Sequence, residues 1–212
     1  MTIIVSRTPP ARHPAGVMQW LKVGLAGLGL ALTSLAHAGW TLDNSGSSLS
    51  MVSVKNAAVA EAHSFTSLSG KVDKTGAATV HVQLDSVETL IPVRDERMRS
   101  MLFDTDDFPL ASITANFDLA PLLALDAGAG LTLALPLTIT VHGVSVNKTV
   151  PVQVLSLSAG SYLVSSIKPL VVHAAEFGLL PGIEALREVA GLQSITPAVP
   201  VSFSLAFRPT AQ

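Results

Sequence analysis

The sequence contains no cysteine, which excludes a disulfide framework, a thiol nucleophile and a thiolate metal site together. Aromatics make up only 5% of the residues and charged side chains 13%, against 49% hydrophobic, so any core is built of Val, Leu, Ala and Ile. Negative charge is missing from the first 38 residues, which hold Arg7, Arg12 and Lys22 but no Asp or Glu. After Lys22 they run through an apolar stretch, Val23 to Leu32, into Ser34-Leu35-Ala36-His37-Ala38. A positive segment, an apolar segment, and Ala36 and Ala38 at the −3 and −1 positions of a peptidase site predict a signal peptide over 1–38, cleaved before Gly39. The apolar stretch is shorter than the roughly 20 residues that span a bilayer. Arg7 and Arg12 are not adjacent and no cysteine is available for lipidation, so the general secretory route to the periplasm is the expected one.

Residues 39–212 are enough for one well-buried domain and short for two. They carry ten Lys and Arg against fifteen Asp and Glu, a net charge of −5, which argues against nucleic acid or an anionic membrane as a partner.

Catalytic patterns are also lacking. No G-x-S-x-G elbow occurs, and Gly143-Val144-Ser145-Val146-Asn147 lacks the final glycine. Nucleotide-binding glycine patterns are absent, and no two of His63, His81, His142 and His173 have the spacing of a helical metal pair. Glu61-Ala62-His63 puts two ligand types on one strand face, but a histidine at a strand end accounts for it more simply. The chain reads as a non-enzyme without metal or cofactor. Catalysis would require His63, His142 or His173 to converge with carboxylates in a pocket.

What the sequence does have is period-two alternation, which sends successive side chains to opposite faces of a strand. Val80, Val82 and Leu84 alternate with polar residues over 79–87, and Ile113, Ala115, Phe117 and Leu119 do so farther on. Leu133, Leu135, Leu137 and Ile139 lie on one face of 131–141, the longest strand signal. Val152 and Val154 share a parity with Val146 and Val150, and Val201, Phe203 and Leu205 alternate near the C-terminus. Residues 48–55, 63–72 and 161–172 add weaker strands. About eight strands separated by turn signals predict an all-β domain over 39–212, a sandwich or a barrel, which periodicity cannot separate.

Two short helices interrupt the strands. Residues 92–104 open with Pro92 and acidic residues, and 181–190 place Ile183, Leu186 and Ala190 on one stripe before Gly191. The first carries Arg94-Asp95-Glu96-Arg97-Met98-Arg99. One reading is a solvent-facing helix with charge pairs such as Asp95 with Arg99. The other is that Arg94 or Arg97 meets a ligand head group at a barrel mouth, since guanidinium suits phosphate or carbonyl oxygens.

At this cluster the sequence resembles the YceI-like family. Trp40-Thr41-Leu42-Asp43, Gly70-Lys71-Val72, the arginine cluster followed by Leu102-Phe103, Asp107-Phe108-Pro109, and Leu137-Thr138-Ile139-Thr140-Val141-His142-Gly143-Val144 carry the resemblance in order through nearly all of 39–212. It implies a lipocalin-like antiparallel barrel that holds a polyisoprenoid, such as an isoprenoid quinone or polyprenyl lipid. Where the family often has a His-Ser pair, this chain has Asn44-Ser45-Gly46-Ser47-Ser48, which leaves the ligand open.

Val80, Val82, Leu84, Ile113, Ala115, Phe117, Leu133, Leu135, Leu137, Ile139, Val152, Val154, Val201, Phe203 and Leu205 are the expected lining, with Arg94 and Arg97 at the mouth. The opposed expectation is that these side chains fill the interior and that the protein works through its surface. It would then serve as an accessory module for a membrane-protein partner in electron transfer or stress response. Oligomeric state, including a dimer, is open.

Overall fold

The computed structural model describes residues 39–210; the predicted signal peptide, 1–38, lies outside the described residues. The alternating segments form β1 (Gly39–Lys55), β2 (Val59–Phe65), β3 (Leu68–Asp73), β4 (Ala77–Gln83), β5 (Val87–Glu88) and β6 (Leu110–Asn116). They continue as β7 (Gly130–Val141), β8 (Val144–Ser156), β9 (Tyr162–Ser166), β10 (Leu170–His173) and β11 (Ala198–Pro209). Every pairing between them is antiparallel. Neighbours run β1-β3-β4-β6-β7-β8-β9-β11, and β11 pairs back onto β1, closing eight strands into a barrel. That last ladder, Trp40 opposite Pro209 through Met51 opposite Val201, decides for a barrel over a sandwich. The short β2, β5 and β10 extend the wall beyond the ring.

β1 shows why its alternation was faint. Leu42 faces Phe207, yet Leu49 faces Phe203, so β1 spends three more residues than β11 over the same span. An odd insertion switches the inward parity from Trp40 and Leu42 to Leu49 and Met51. The polar run after Asp43 forms this bulge. Ser47 Oγ donates to the Asp43 carbonyl and accepts from the Ala206 amide, replacing the interrupted ladder.

Two stretches expected as single strands turn corners instead. Residues 63–72 divide into β2 and β3, both on one side of β1, with Asn44 filling the gap: its amide donates to the Thr66 carbonyl and accepts from the Leu68 amide. Residues 161–172 divide into β9 and β10 on one side of β11, where Ser166 Oγ exchanges hydrogen bonds with the Phe203 backbone. Pro169 lacks an amide proton and restrains Lys168, which keeps the ladder from running through. Pro136 and Pro151 lie within long strands, each just beyond the rungs of one neighbour, β6 and β9 respectively.

Helices close the ends. α1 (Pro92–Arg97) continues through a wider turn to Phe103 and packs against α3 (Leu180–Val189). Their approach requires Gly182, where a Cβ would lie 2.6 Å from the Met101 carbonyl oxygen. A third helix, α2 (Ala120–Leu123), went unrecognised at only four residues; the Asp118 carboxylate accepts from the Ala120 amide at its start. The β6 strand therefore stops at Asn116, and Leu119, expected on that strand, is a buried residue at the entry to α2.

Candidate functional site

Closing the sheet directs the apolar parity of each strand inward around one cavity of about 290 Å³. Its wall includes Val80, Val82 and Leu84, then Ile113, Ala115 and Phe117, then Leu133, Leu135, Leu137 and Ile139. Val152 and Val154 from β8, and Val201, Phe203 and Leu205 from β11, complete the set that alternation had nominated. The barrel is therefore hollow, and small side chains at Ala78 and Ala115 leave part of the room. Sequence reasoning did not place Met51 and Phe65 in the wall, because the β1 bulge and the β2 corner hide their parity. It also missed Leu102, Phe103 and Ile183, which reach the cavity from the covering helices.

One end of the cavity is sealed around Trp40 and Tyr162, whose rings meet edge to face at 5.6 Å. Trp40 Nε1 donates to the Gly160 carbonyl at 2.9 Å and Tyr162 Oη to the Leu122 carbonyl at 3.1 Å. Both polar tips are satisfied by backbone, so the wall offers a guest only hydrocarbon. Burial pushes the Tyr162 hydroxyl above the ordinary tyrosine value and keeps it a neutral donor.

The α1 end differs. Arg94 and Arg97 do not line the cavity. Arg94 is held by Glu61, at 2.8 Å, and by the Thr89 carbonyl, at 2.7 Å; Arg97 is half-buried. The helix is also not the solvent-facing ladder expected: Asp95 is buried and accepts from the Thr89 amide and hydroxyl, while Arg99 pairs with Glu96. Lys55 completes the cluster, 2.8 Å from Glu61. Its hydrogen bond, together with the Arg94 charge, holds Glu61 below the usual carboxylate range.

Beside them sits His63, 4% exposed, with Nε2 2.8 Å from Ser53 Oγ. Burial, reinforced by the Arg94 charge, pushes its imidazole below the ordinary histidine value. Among the described residues the other histidines lie elsewhere: His81 bonds Ser112 between β4 and β6, His142 packs on Phe108 at the β7–β8 turn, and His173 caps the turn Ala174–Phe177. Among the described residues no three His, Asp or Glu side chains are grouped to hold a metal ion.

A model of the YceI-like domain matches residues 40–207. Among solved structures, a polyisoprenoid-binding domain from Saccharophagus degradans, implicated in plant cell wall breakdown, is 37% identical with a TM-score of 0.79. That match covers 81% of this chain and 98% of the other. BcnA of Burkholderia cenocepacia, at 19% identity and a TM-score of 0.60, covers 78% of this chain and 98% of its own. The Campylobacter jejuni YceI protein, at 12% identity and a TM-score of 0.52, covers 71% and 85%. These last two share the fold. No curated protein matches the sequence.

Proposed function

The chain belongs to the YceI-like family, and from that membership and its hollow apolar barrel we propose that it is an exported binding protein holding a polyisoprenoid or similar long apolar chain. The observation that carries the reading is a cavity wall made wholly of apolar side chains whose few polar tips are already bonded to backbone. Partition supplies the affinity: each CH₂ moved from water into such a lumen gains about 0.8 kcal/mol, so a few prenyl units exceed the cost of association. The aliphatic lining suits an isoprenoid quinone or polyprenyl lipid. An apolar guest of this kind needs a carrier in an aqueous compartment, which fits the export signal read in 1–38 and a periplasmic location. The role is binding and transport or storage rather than catalysis.

Native mass spectrometry with lipid extraction, on protein purified from cells that export it, tests this. A co-purifying isoprenoid of defined mass is expected; an empty protein that takes up no added quinone or polyprenyl lipid would refute it. A surface role, as an accessory module for a membrane-protein partner, draws support from the exposed Leu90, Ile91 and Val93 at the start of α1, Leu90 being 86% exposed. Cross-linking at these positions to one membrane protein, with the lumen empty, is the result that would favour it.

A further inference from the structure

The three helices over the barrel are not fastened alike. α1 is tied down by Arg94 on Glu61 and Asp95 on Thr89, and α2 by the Leu122 carbonyl that takes the Tyr162 hydroxyl. α3 has no such tie. From Leu180 to Leu192, every hydrogen bond and ion pair among the described residues closes within 179–192. Arg187 pairs with Glu184 at 2.6 Å and with Glu188, and it donates to the Leu192 carbonyl. The amides of Ile183, Ala190, Gly191 and Leu192 bond to carbonyls of the same stretch. No residue of the helix is buried. It rests on the Met98–Phe103 segment and presents Ile183 to the cavity. Two glycines frame it. Gly178 and Gly191 are both left-handed, at φ 70° and 61°, and a Cβ at either would meet nothing within 4 Å, so each serves the backbone turn rather than close packing. Just outside them the chain is anchored. Lys148 donates to both carboxylate oxygens of Glu176, and Phe177 is fully buried. Beyond the helix, the Asn56 amide donates to the Ser194 carbonyl and its side-chain oxygen accepts from the Gln193 amide.

We propose that α3 is a lid that swings as a unit on Gly178 and Gly191, and that the guest enters and leaves the lumen beneath it. This rests on the lumen-binding reading and adds the route. Opening breaks no hydrogen bond, because the helix carries all of its own with it; what is given up is apolar contact, chiefly of Ile183 and Leu186 with the rim of the core. Segments with few buried contacts open locally at a fraction of the global stability, and hinged closures turn on a few residues at element ends. The other two covers are poorer doors. Lifting α1 separates Arg94 from Glu61 and strips the buried Asp95 of its Thr89 donors. Lifting α2 takes the Leu122 carbonyl from the buried Tyr162 hydroxyl.

Stopped-flow binding and release of an isoprenoid quinone tests the proposal in wild type, Gly178→Ala and Gly191→Ala. Either substitution puts a Cβ into left-handed backbone only while the lid is closed, and so favours opening by about tenfold. Quinone should therefore bind and leave about tenfold faster with Kd unchanged, since the empty and the loaded closed states are strained alike. Gly128→Ala makes the same change in the loop after α2, at φ 86° and again with nothing within 4 Å, and should alter neither rate. Hydrogen exchange of the wild type gives a second reading that needs no variant: the α3 amides should exchange well ahead of those in the β7–β8 ladder. Wild-type rates in both lid variants, faster rates in Gly128→Ala alone, or α3 amides that exchange only together with the ladder would overturn the lid and leave the lumen reading standing. No saturable uptake of quinone by wild type would overturn both.

Discussion

The two ends of the barrel are made from the same strands and solve opposite problems. At the Trp40 end every polar tip is tied to backbone, Trp40 to Gly160 and Tyr162 to Leu122, and α2 lies over it as a short plug. At the α1 end the cover is a longer helical segment held by a four-residue charge cluster, and three buried nitrogens, His63 Nδ1, Arg94 Nε and Arg99 Nε, have no partner. The first arrangement is complete without a guest. The second is a buried polar layer outside the apolar wall of the cavity. The cavity between them is apolar throughout, so the polar groups of the α1 end serve to hold its cover in place.

Breaking the sealed end has the largest expected effect. Trp40→Ala removes a large buried ring together with its hydrogen bond and should cost about 3–5 kcal/mol in denaturant unfolding. At the other end, Gly182→Val drives a side chain into the Met101 carbonyl and forces α3 off the α1 segment. A loss of about 1–3 kcal/mol is expected, with faster hydrogen exchange confined to these two helices. Tyr162→Phe is gentler, since only the bond to Leu122 is lost, and should cost about 1 kcal/mol.

The smallest effect is the most specific to the α1 end. His63 titrates below its ordinary value of 6.5 because burial disfavours the cation, so the folded state binds fewer protons than the unfolded chain. The stability held by the neutral ring is present above 6.5 and is lost as pH falls from there toward the folded value. Wild type should therefore lose stability between about pH 7 and about pH 5.5, above the carboxylate range, and His63→Leu should flatten that slope. Equal wild-type unfolding free energies in urea melts at the two pH values would remove the titration from the account.

Much of this was legible in the sequence because alternation is a direct record of facing. The fifteen lining residues read from β4, β6, β7, β8 and β11, with Leu84 and Phe117 just past the ends of β4 and β6, all reach the cavity. Parity could not carry through the β1 bulge, where three extra residues reverse it, nor through the corners at Thr66 and Ser166, where local side-chain bonds end a ladder with no change in composition. Closure into a barrel was not legible in the alternation, since it depends on a ladder between the first and last strands, and only the family resemblance pointed to it. The arginine cluster drew attention as a head-group site, but its guanidinium ends are spent on Glu61 and Thr89, and the orphaned His63 looked like any histidine at a strand end.

The central claim is that the lumen itself takes the guest. Titration of the purified protein with an isoprenoid quinone, wild type against Ala115→Phe, tests it most directly, because Ala115 lines the cavity and the larger ring fills it. Saturable one-to-one uptake in wild type, weakened at least tenfold in a variant that unfolds at an unchanged denaturant concentration, is the predicted result. Uptake that persists undiminished in the filled barrel would mean that the quinone binds outside, and would contradict the account.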